Sequence, residues 1–178
     1  MHSPRRLDLV KKRLSELTDP SALRWEVCRA LAQGPGTASA IFRVPPRGSP
    51  LSGIPDVLAY HFGDSGEDTQ VPSGPDGPWH PSHRGFRVSR RLLEAVRANG
   101  RPLMSKSIFS CETTITITIM DEHSPRALLC VPMGRRGDAL DLLYVDVAID
   151  DRMAHGPEEM FAFVQAVARH ATAVLPQA

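Results

Sequence analysis

Two apolar runs joined by a short polar link decide how this chain folds. The sequence from Arg126 to Val147 is RALLCVPMGRRGDALDLLYVDV. Both runs are rich in the aliphatic and β-branched residues that strands favour, and the link MGRRGD is short enough for a hairpin. The stretch therefore predicts strands over 126–133 and 139–147. Because Pro132 has no N–H to donate to a strand ladder, we expect it to end the first strand.

The segments upstream predict further strands of the same sheet. Residues 37–44 alternate between two faces, and 56–62 form a second strand after a turn-rich link, which suggests an antiparallel pair. The strict alternation TITITI predicts a strand over 114–119, and residues 101–105 are long enough for a short one.

Helices are predicted at both ends of the chain and once in the middle. Asp19 and Pro20 separate two N-terminal stripes, Ser89 caps a helix that Gly100 ends, and Gly156 begins the last helix. Strands bracketed by helices indicate an α+β fold, with a central and mostly antiparallel sheet. We expect the N- and C-terminal helices to pack on one face of that sheet.

Composition limits the classes of protein that this chain can represent. Its 178 residues suit one domain, which we divide into an N-terminal helix (1–18) and a main domain (19–178). A net charge of +1 argues against direct nucleic-acid binding. Three cysteines without a CxxC motif favour reduced thiols and a cytoplasmic protein, and no apolar run is long enough to span a membrane.

Four segments, in their order and spacing, resemble the GAF domains of bacterial transcription activators, including those attached to forkhead-associated or ATPase modules. They are VSRRLLEAV (88–96), RPL (101–103), RALLCVPM (126–133) and LDLLYVD (140–146), followed by an amphipathic helix. The resemblance covers about residues 86–175. It implies a sensory or regulatory domain that binds a small molecule or a partner and relays the change through its terminal helices, and it does not imply an enzyme.

One residue departs from the pattern of that family. Asp141 stands where GAF domains usually have glycine in the last strand, so the close packing beside that strand is in doubt. We expect Asp141 to face solvent or a basic partner such as Arg126.

The resemblance also places the ligand, between one face of the sheet and residues 103–125. Apolar residues there either line a pocket or fill it as ordinary core, and Arg126 could neutralise an anion. The predicted ligand-binding residues are Phe86, Phe109, Ile115, Ile117 and Arg126. The mixture of apolar and hydroxyl side chains suits an unknown small organic ligand. Residues 107–119 are either a lid that orders on binding or a plain strand.

Other chemistry at this fold has weaker support in the sequence. His80 and His83 lack the nearby cysteines or carboxylates of a zinc site, and His61 brings no haem motif, so we expect neither metal nor cofactor. A thiol-dependent reductase of the free methionine sulfoxide type stays an alternative through Cys111, although the recycling thiol of that family is missing. We expect Cys130 to be buried and inert.

An apolar stripe on the first helix bears on assembly. It consists of Leu7, Val10, Leu14 and Leu17. Such a stripe fits a homodimer built from residues 5–18 and 157–175, and packing on the final helix of the same chain is the competing explanation. The sequence has no P-loop and no clear helix-turn-helix, so we expect either a domain excised from a longer protein or an output protein that acts in trans. A dimerisation scaffold with a filled pocket is a third possibility.

Overall fold

The secondary structure matches the predicted order closely. The computed structural model describes residues 4–32, 37–49, 51, 55–63, 88–105, 113–115, 126–148 and 156–175. Within these residues the elements are α1 (Pro4–Glu16), α2 (Pro20–Leu31), β1 (Thr37–Val44), β2 (Asp56–Phe62), β3 (Val88–Ser89), α3 (Arg90–Asn99), β4 (Leu103–Ser105), β5 (Thr113–Ile115), β6 (Arg126–Arg136), β7 (Ala139–Ala148) and α4 (Gly156–Val174).

Five of the strands form one antiparallel sheet in the order β2-β1-β7-β6-β4. The predicted pairing of β1 with β2 is confirmed, and β6 and β7 form the predicted hairpin. Gly137, in the turn of that hairpin, has a φ of +57°, a left-handed conformation that costs glycine little. The remaining strands, β3 and β5, pair only with each other.

The prediction that Pro132 ends its strand is wrong. Strand β6 continues through Pro132 to Arg136, and its register against β7 shifts between Pro132 and Gly134. Pro132 lies opposite Leu142 and Gly134 opposite Asp141, so β6 has one residue more than β7 there. A β-bulge of this kind is one of the few places where a sheet accepts proline.

Both interior helix starts are capped as the sequence indicates. An Asp19 carboxylate oxygen accepts a hydrogen bond from the Ala22 amide at 2.6 Å, and Pro20 opens α2. The Ser89 hydroxyl accepts one from the Leu92 amide at 3.2 Å, and Gly100 ends α3 with a φ of +64°. Such caps satisfy backbone groups that a helix terminus leaves without intrahelical partners.

The sheet separates two hydrophobic clusters. Helices α1, α2 and α4 cover one face, as predicted for the terminal helices, and α3 covers the other. The stripe on α1 is directed inward, with Leu14 fully buried and Val10 nearly so, and α1 packs against α4 of the same chain. The competing explanation of the stripe is therefore confirmed. Burial of one leucine contributes about 1.5–3 kcal/mol, so this contact stabilises the fold itself.

Of the two expectations for Asp141, the basic partner is confirmed and exposure to solvent is not, and the partner is Arg43 and not the suggested Arg126. It lies in the register of β1 and β7 opposite Arg43, whose guanidinium donates hydrogen bonds of 2.9 and 3.1 Å to its two carboxylate oxygens. Arg24 of α2 approaches the same carboxylate at 4.0 Å. Asp141 is 4% exposed, so two cations from β1 and α2 offset the burial of its charge.

Among the helices of the described residues, none is long and apolar enough to cross a bilayer.

Candidate functional site

One face of the sheet packs against α3, the helix that directly precedes residues 103–125, and is called the α3 face below. Alternating residues of the three central strands point to it, because successive side chains of a strand lie on opposite faces. Its buried members on β1, β6 and β7 are Ala38, Ala40, Phe42, Val44, Leu128, Cys130, Leu142 and Tyr144. The centre of this surface combines the aromatic rings of Phe42 and Tyr144 with small side chains.

An acidic residue lies on the α3 face. Asp146 alternates onto the same side as Tyr144, pairs with Ala38 on one neighbouring strand and with Leu128 on the other, and is 0% exposed. Ser105, at the sheet edge, pairs with Leu128 and continues the same row. A carboxylate and a hydroxyl residue therefore stand in one row of the sheet, within largely apolar surroundings.

Tyr144 connects this surface to the start of α3. The backbone N–H of Ser89 donates a hydrogen bond of 2.9 Å to the Tyr144 phenolic oxygen, and both residues are buried. The Tyr144 ring meets Phe42 edge to face, with 5.9 Å between ring centroids. Strand β7 thus fixes the position of the first turn of α3, and any change at Tyr144 reaches that helix directly.

The structure describes only two of the five ligand-binding residues that the sequence predicts. Ile115 pairs with Val88 in the small β3–β5 sheet, and Arg126 is the first residue of β6, opposite Ala148. Phe86, Phe109 and Ile117 lie outside the described residues, as does the remainder of the predicted strand 114–119 beyond Ile115. The structure therefore brings none of the five into a described side-chain contact, and their role in binding stays a prediction.

Two residues of the α3 face were missed at the sequence level. Tyr144 and Asp146 were used only as parts of a strand motif, yet both belong to the alternating set that includes Leu142. The signal was available, since an aspartate two positions from a buried tyrosine must share its face in a regular strand. What the alternation alone does not show is which face carries the ligand.

The two described thiols are unsuited to nucleophilic chemistry. Burial raises the pKa of Cys28 to about 12, and burial likewise raises the pKa of Cys130 well above its usual range. A thiol with a raised pKa has little of the thiolate that reacts. The prediction that Cys130 is buried is confirmed. Cys111 lies outside the described residues, so the reductase alternative depends on that thiol alone.

The structure describes one of the three histidines that were considered as ligands of a metal or haem. The His61 ring meets the Trp25 ring edge to face, with 6.0 Å between centroids, on a half-buried part of β2. No group of three or more metal-ligating side chains occurs among the residues that the structure describes. His80 and His83 lie outside them.

Comparison with known proteins gives matches in structure but none in sequence. No protein-family model and no curated protein matches the chain. The GAF domain of A. aeolicus nlh2, solved in an inactive state, is similar with a TM-score of 0.56 at 12% identity, over 96% of this chain and 93% of that one. The GAF domain of a phosphoenolpyruvate-protein phosphotransferase from Coxiella burnetii has a TM-score of 0.53 at 15% identity, over 95% and 89%.

An enzyme is among the similar structures. Free methionine-R-sulfoxide reductase from Neisseria meningitidis, solved with its substrate, has a TM-score of 0.56 at 13% identity, over 98% of this chain and 92% of that one. At such identities the similarity shows the shared fold and carries no activity across. The predicted architecture is nevertheless confirmed over nearly the whole chain: this protein has the GAF fold.

Proposed function

We propose that the protein is a sensory domain that binds a small organic molecule on the α3 face and relays the binding event to its terminal helices. The observation that carries the proposal is the fully buried Asp146 beside Tyr144 on that face. Ligand sites are mostly apolar with a few placed polar groups, and the α3 face has this composition. We further propose that the terminal helices pass the signal to a separate output protein, which controls transcription or another signalling step.

The chemistry of the α3 face suggests the kind of ligand. The carboxylate of Asp146 accepts hydrogen bonds, the Tyr144 hydroxyl already accepts one from Ser89, and Phe42 supplies an aromatic surface. These groups favour a small molecule that has an apolar body and carries an amine or hydroxyl donor. Arg126, which the sequence suggests as the group that neutralises an anion, is the first residue of β6 and is the proposed partner of a carboxylate on such a ligand.

The relay follows from the alternation of β7. Tyr144 faces α3, whereas its neighbours Leu143 and Val145 are buried against the terminal helices. A shift of β7 caused by a ligand at Tyr144 therefore changes the packing beneath α4. Helix α4 is in turn connected to α1, because the His170 ring nitrogen of α4 lies 3.0 Å from the Ser15 hydroxyl of α1. The two terminal helices should therefore respond together.

Thermal-shift titration with a defined library tests the proposal. The library contains biogenic amines, amino acids, nucleosides and hydroxylated aromatic acids, and a ligand is a compound that raises the melting temperature saturably. Asp146→Asn preserves the shape of the side chain and removes its charge, and we expect it to weaken binding by about tenfold or more, as loss of a charge-assisted hydrogen bond does.

Glu94→Gln is the matched control, because it makes the same chemical change on the outer side of α3, where Glu94 pairs with Arg90 at 3.1 Å. The control should bind as the wild type does. Equal binding by Asp146→Asn and the wild type would contradict the placement of the ligand. Absence of any saturable ligand would favour the dimerisation scaffold with a filled α3 face.

A further inference from the structure

An open cleft of about 630 Å³ lies at the end of the sheet that carries the bulge. Three parts of the fold meet there: the C-terminal end of α3, the β6 segment 132–135 and the C-terminal half of α4. Neither Tyr144 nor Asp146 lines it, so it is separate from the ligand site proposed above. Among the residues that the structure describes, the charged ones that line it are all arginines: Arg47, Arg97, Arg135 and Arg169.

The charge of this cleft is not neutralised by the described carboxylates. Some other described arginines have an acidic partner, as Arg43 has Asp141 and Arg29 has Glu26. The four cleft arginines make no such ion pair with any described acidic residue, and no described aspartate or glutamate lines the cleft. Like charges held close together repel, and a bound anion removes that repulsion.

One of the guanidinium groups is already held in place. Arg97 Nη1 donates a hydrogen bond of 2.8 Å to the Ser49 carbonyl, which leaves its other N–H groups available. Arg97 also lies in the last turn of α3, where its charge offsets the negative end of the helix dipole. An anion in the cleft therefore meets a positioned arginine at the helix end.

The walls of the cleft allow close approach to the backbone. Gly134, with a φ of +150°, and Gly100 present no side chain, and Ala98 presents a methyl group. The Thr172 hydroxyl of α4 donates a hydrogen bond to the Met133 carbonyl and thereby ties the bulge to the last helix. The cleft is thus built on a joint between β6 and α4, and its occupant touches both.

We propose that this cleft binds a small polyanion with two or more phosphate groups, of the nucleoside diphosphate class. Guanidinium forks match phosphate oxygens in pairs, and several of them suit a ligand with several phosphate oxygens. The volume is in the range of sites for small ligands. Because Arg135 belongs to β6 and Arg169 to α4, the bound anion bridges the sheet and the C-terminal helix and stabilises their joint.

Calorimetric titration of the full chain with pyrophosphate and with ADP tests this, with adenosine as the uncharged probe. We expect saturable binding of both anions, no binding of adenosine, and a fall in affinity as KCl rises from about 50 to about 300 mM. Arg135→Ala and Arg169→Ala should each weaken binding by about fivefold to tenfold. Both side chains are exposed, so their removal leaves the fold intact.

Arg91→Ala is the control, since Arg91 is an exposed arginine of α3 that does not line the cleft. It should change the affinity by less than about twofold, because surface charge at a distance is screened. The proposal is overturned if neither anion binds saturably at millimolar concentration, or if Arg91→Ala weakens binding as much as Arg169→Ala. A single-stranded oligonucleotide or an acidic peptide could also bind more tightly than ADP and lose that binding in Arg135→Ala and Arg169→Ala. The occupant of the cleft would then be a macromolecule and not a small anion.

Discussion

The backbone amide of Ser89 donates a hydrogen bond to the phenolic oxygen of Tyr144 at 2.9 Å, across 55 positions of the sequence. Ser89 is also the residue whose hydroxyl caps α3. One residue thus joins the start of the helix to the centre of the sheet. A ligand that engages the Tyr144 hydroxyl acts on a group that already holds α3, which connects the proposed binding event to a change in the fold.

Tyr144→Phe should lower the free energy of unfolding by about 1–3 kcal/mol, because the Ser89 N–H is then buried without its acceptor. The ring and its edge-to-face contact with Phe42 are retained, so the change isolates the hydroxyl. Urea denaturation of the two proteins measures the difference. Equal stability would show that the Ser89 amide finds another acceptor, and the coupling between the sheet and α3 would lose its basis.

Asp141→Asn should destabilise the fold by about 2–4 kcal/mol, since Arg43 and the largely buried Arg24 lose the carboxylate that neutralises them. Glu94→Gln makes the same change in a half-exposed pair within one helix and should cost no more than about 0.5 kcal/mol. Chemical denaturation of both variants gives the comparison. Similar small losses in the two proteins would mean that Asp141 contributes no more than a surface charge.

Leu14→Asp should unfold the chain and not simply separate a dimer. Leu14 is fully buried between α1 and the rest of the core, so a charge there loses its hydration and a leucine contact together, at a cost of more than about 4 kcal/mol. Leu9→Asp is the companion variant, because Leu9 is 52% exposed on the outer side of α1, and it should change stability by less than about 0.5 kcal/mol.

Sedimentation of the Leu9→Asp protein then addresses the proposed homodimer. If terminal helices pair between two chains, the outer side of α1 provides the contact, and Leu9→Asp should weaken the dimer while circular dichroism stays unchanged. A dimer that withstands this substitution would exclude the outer side of α1 as its interface. A folded Leu14→Asp monomer of normal stability would contradict the burial of the α1 stripe.

Stability should fall as the pH rises from about 9 to about 12, in part because of Cys28. Burial raises the pKa of this thiol from 9.0 to about 12, so the folded chain keeps a proton that the unfolded chain releases. The resulting stabilisation is complete below pH 9 and is lost as the pH approaches 12, with a slope of at most about 1.4 kcal/mol per pH unit. Urea midpoints measured at several pH values should fall less steeply for Cys28→Ala than for the wild type; parallel slopes would contradict the raised pKa.

Much of the fold could be predicted because its signals are local. The caps at Asp19 and Ser89, the turn at Gly137 and the alternation in β1 each depend on a few neighbouring residues. The stripe on α1 left two explanations open, since a helical pattern shows which side is buried and not what buries it. Only the tertiary packing against α4 decides between them.

The errors arose where a residue far along the chain determines the outcome. Pro132 was expected to end a strand, but the extra residue of a bulge lets β6 continue past it. Asp141 was expected to face solvent or a basic partner such as Arg126, and the register of β1 and β7 puts it opposite the basic Arg43, 98 positions away. Neither a bulge nor a register is visible in one strand alone. Asp146 differs, because its alternation with Tyr144 was visible in β7 and only the identity of the face that they share was not.

Native mass spectrometry of the protein purified from its own host tests the ligand on the α3 face most directly, with Asp146→Asn expressed and purified in parallel. The proposed function predicts that the wild-type chain of 19.5 kDa retains a noncovalent adduct of small-molecule size, about 100–500 Da, that collisional activation removes. The Asp146→Asn protein should show the bare chain. An adduct of equal abundance in both proteins would put the ligand elsewhere, and a wild-type chain that carries nothing, even after incubation with the small-molecule fraction of the host, would contradict the sensory function.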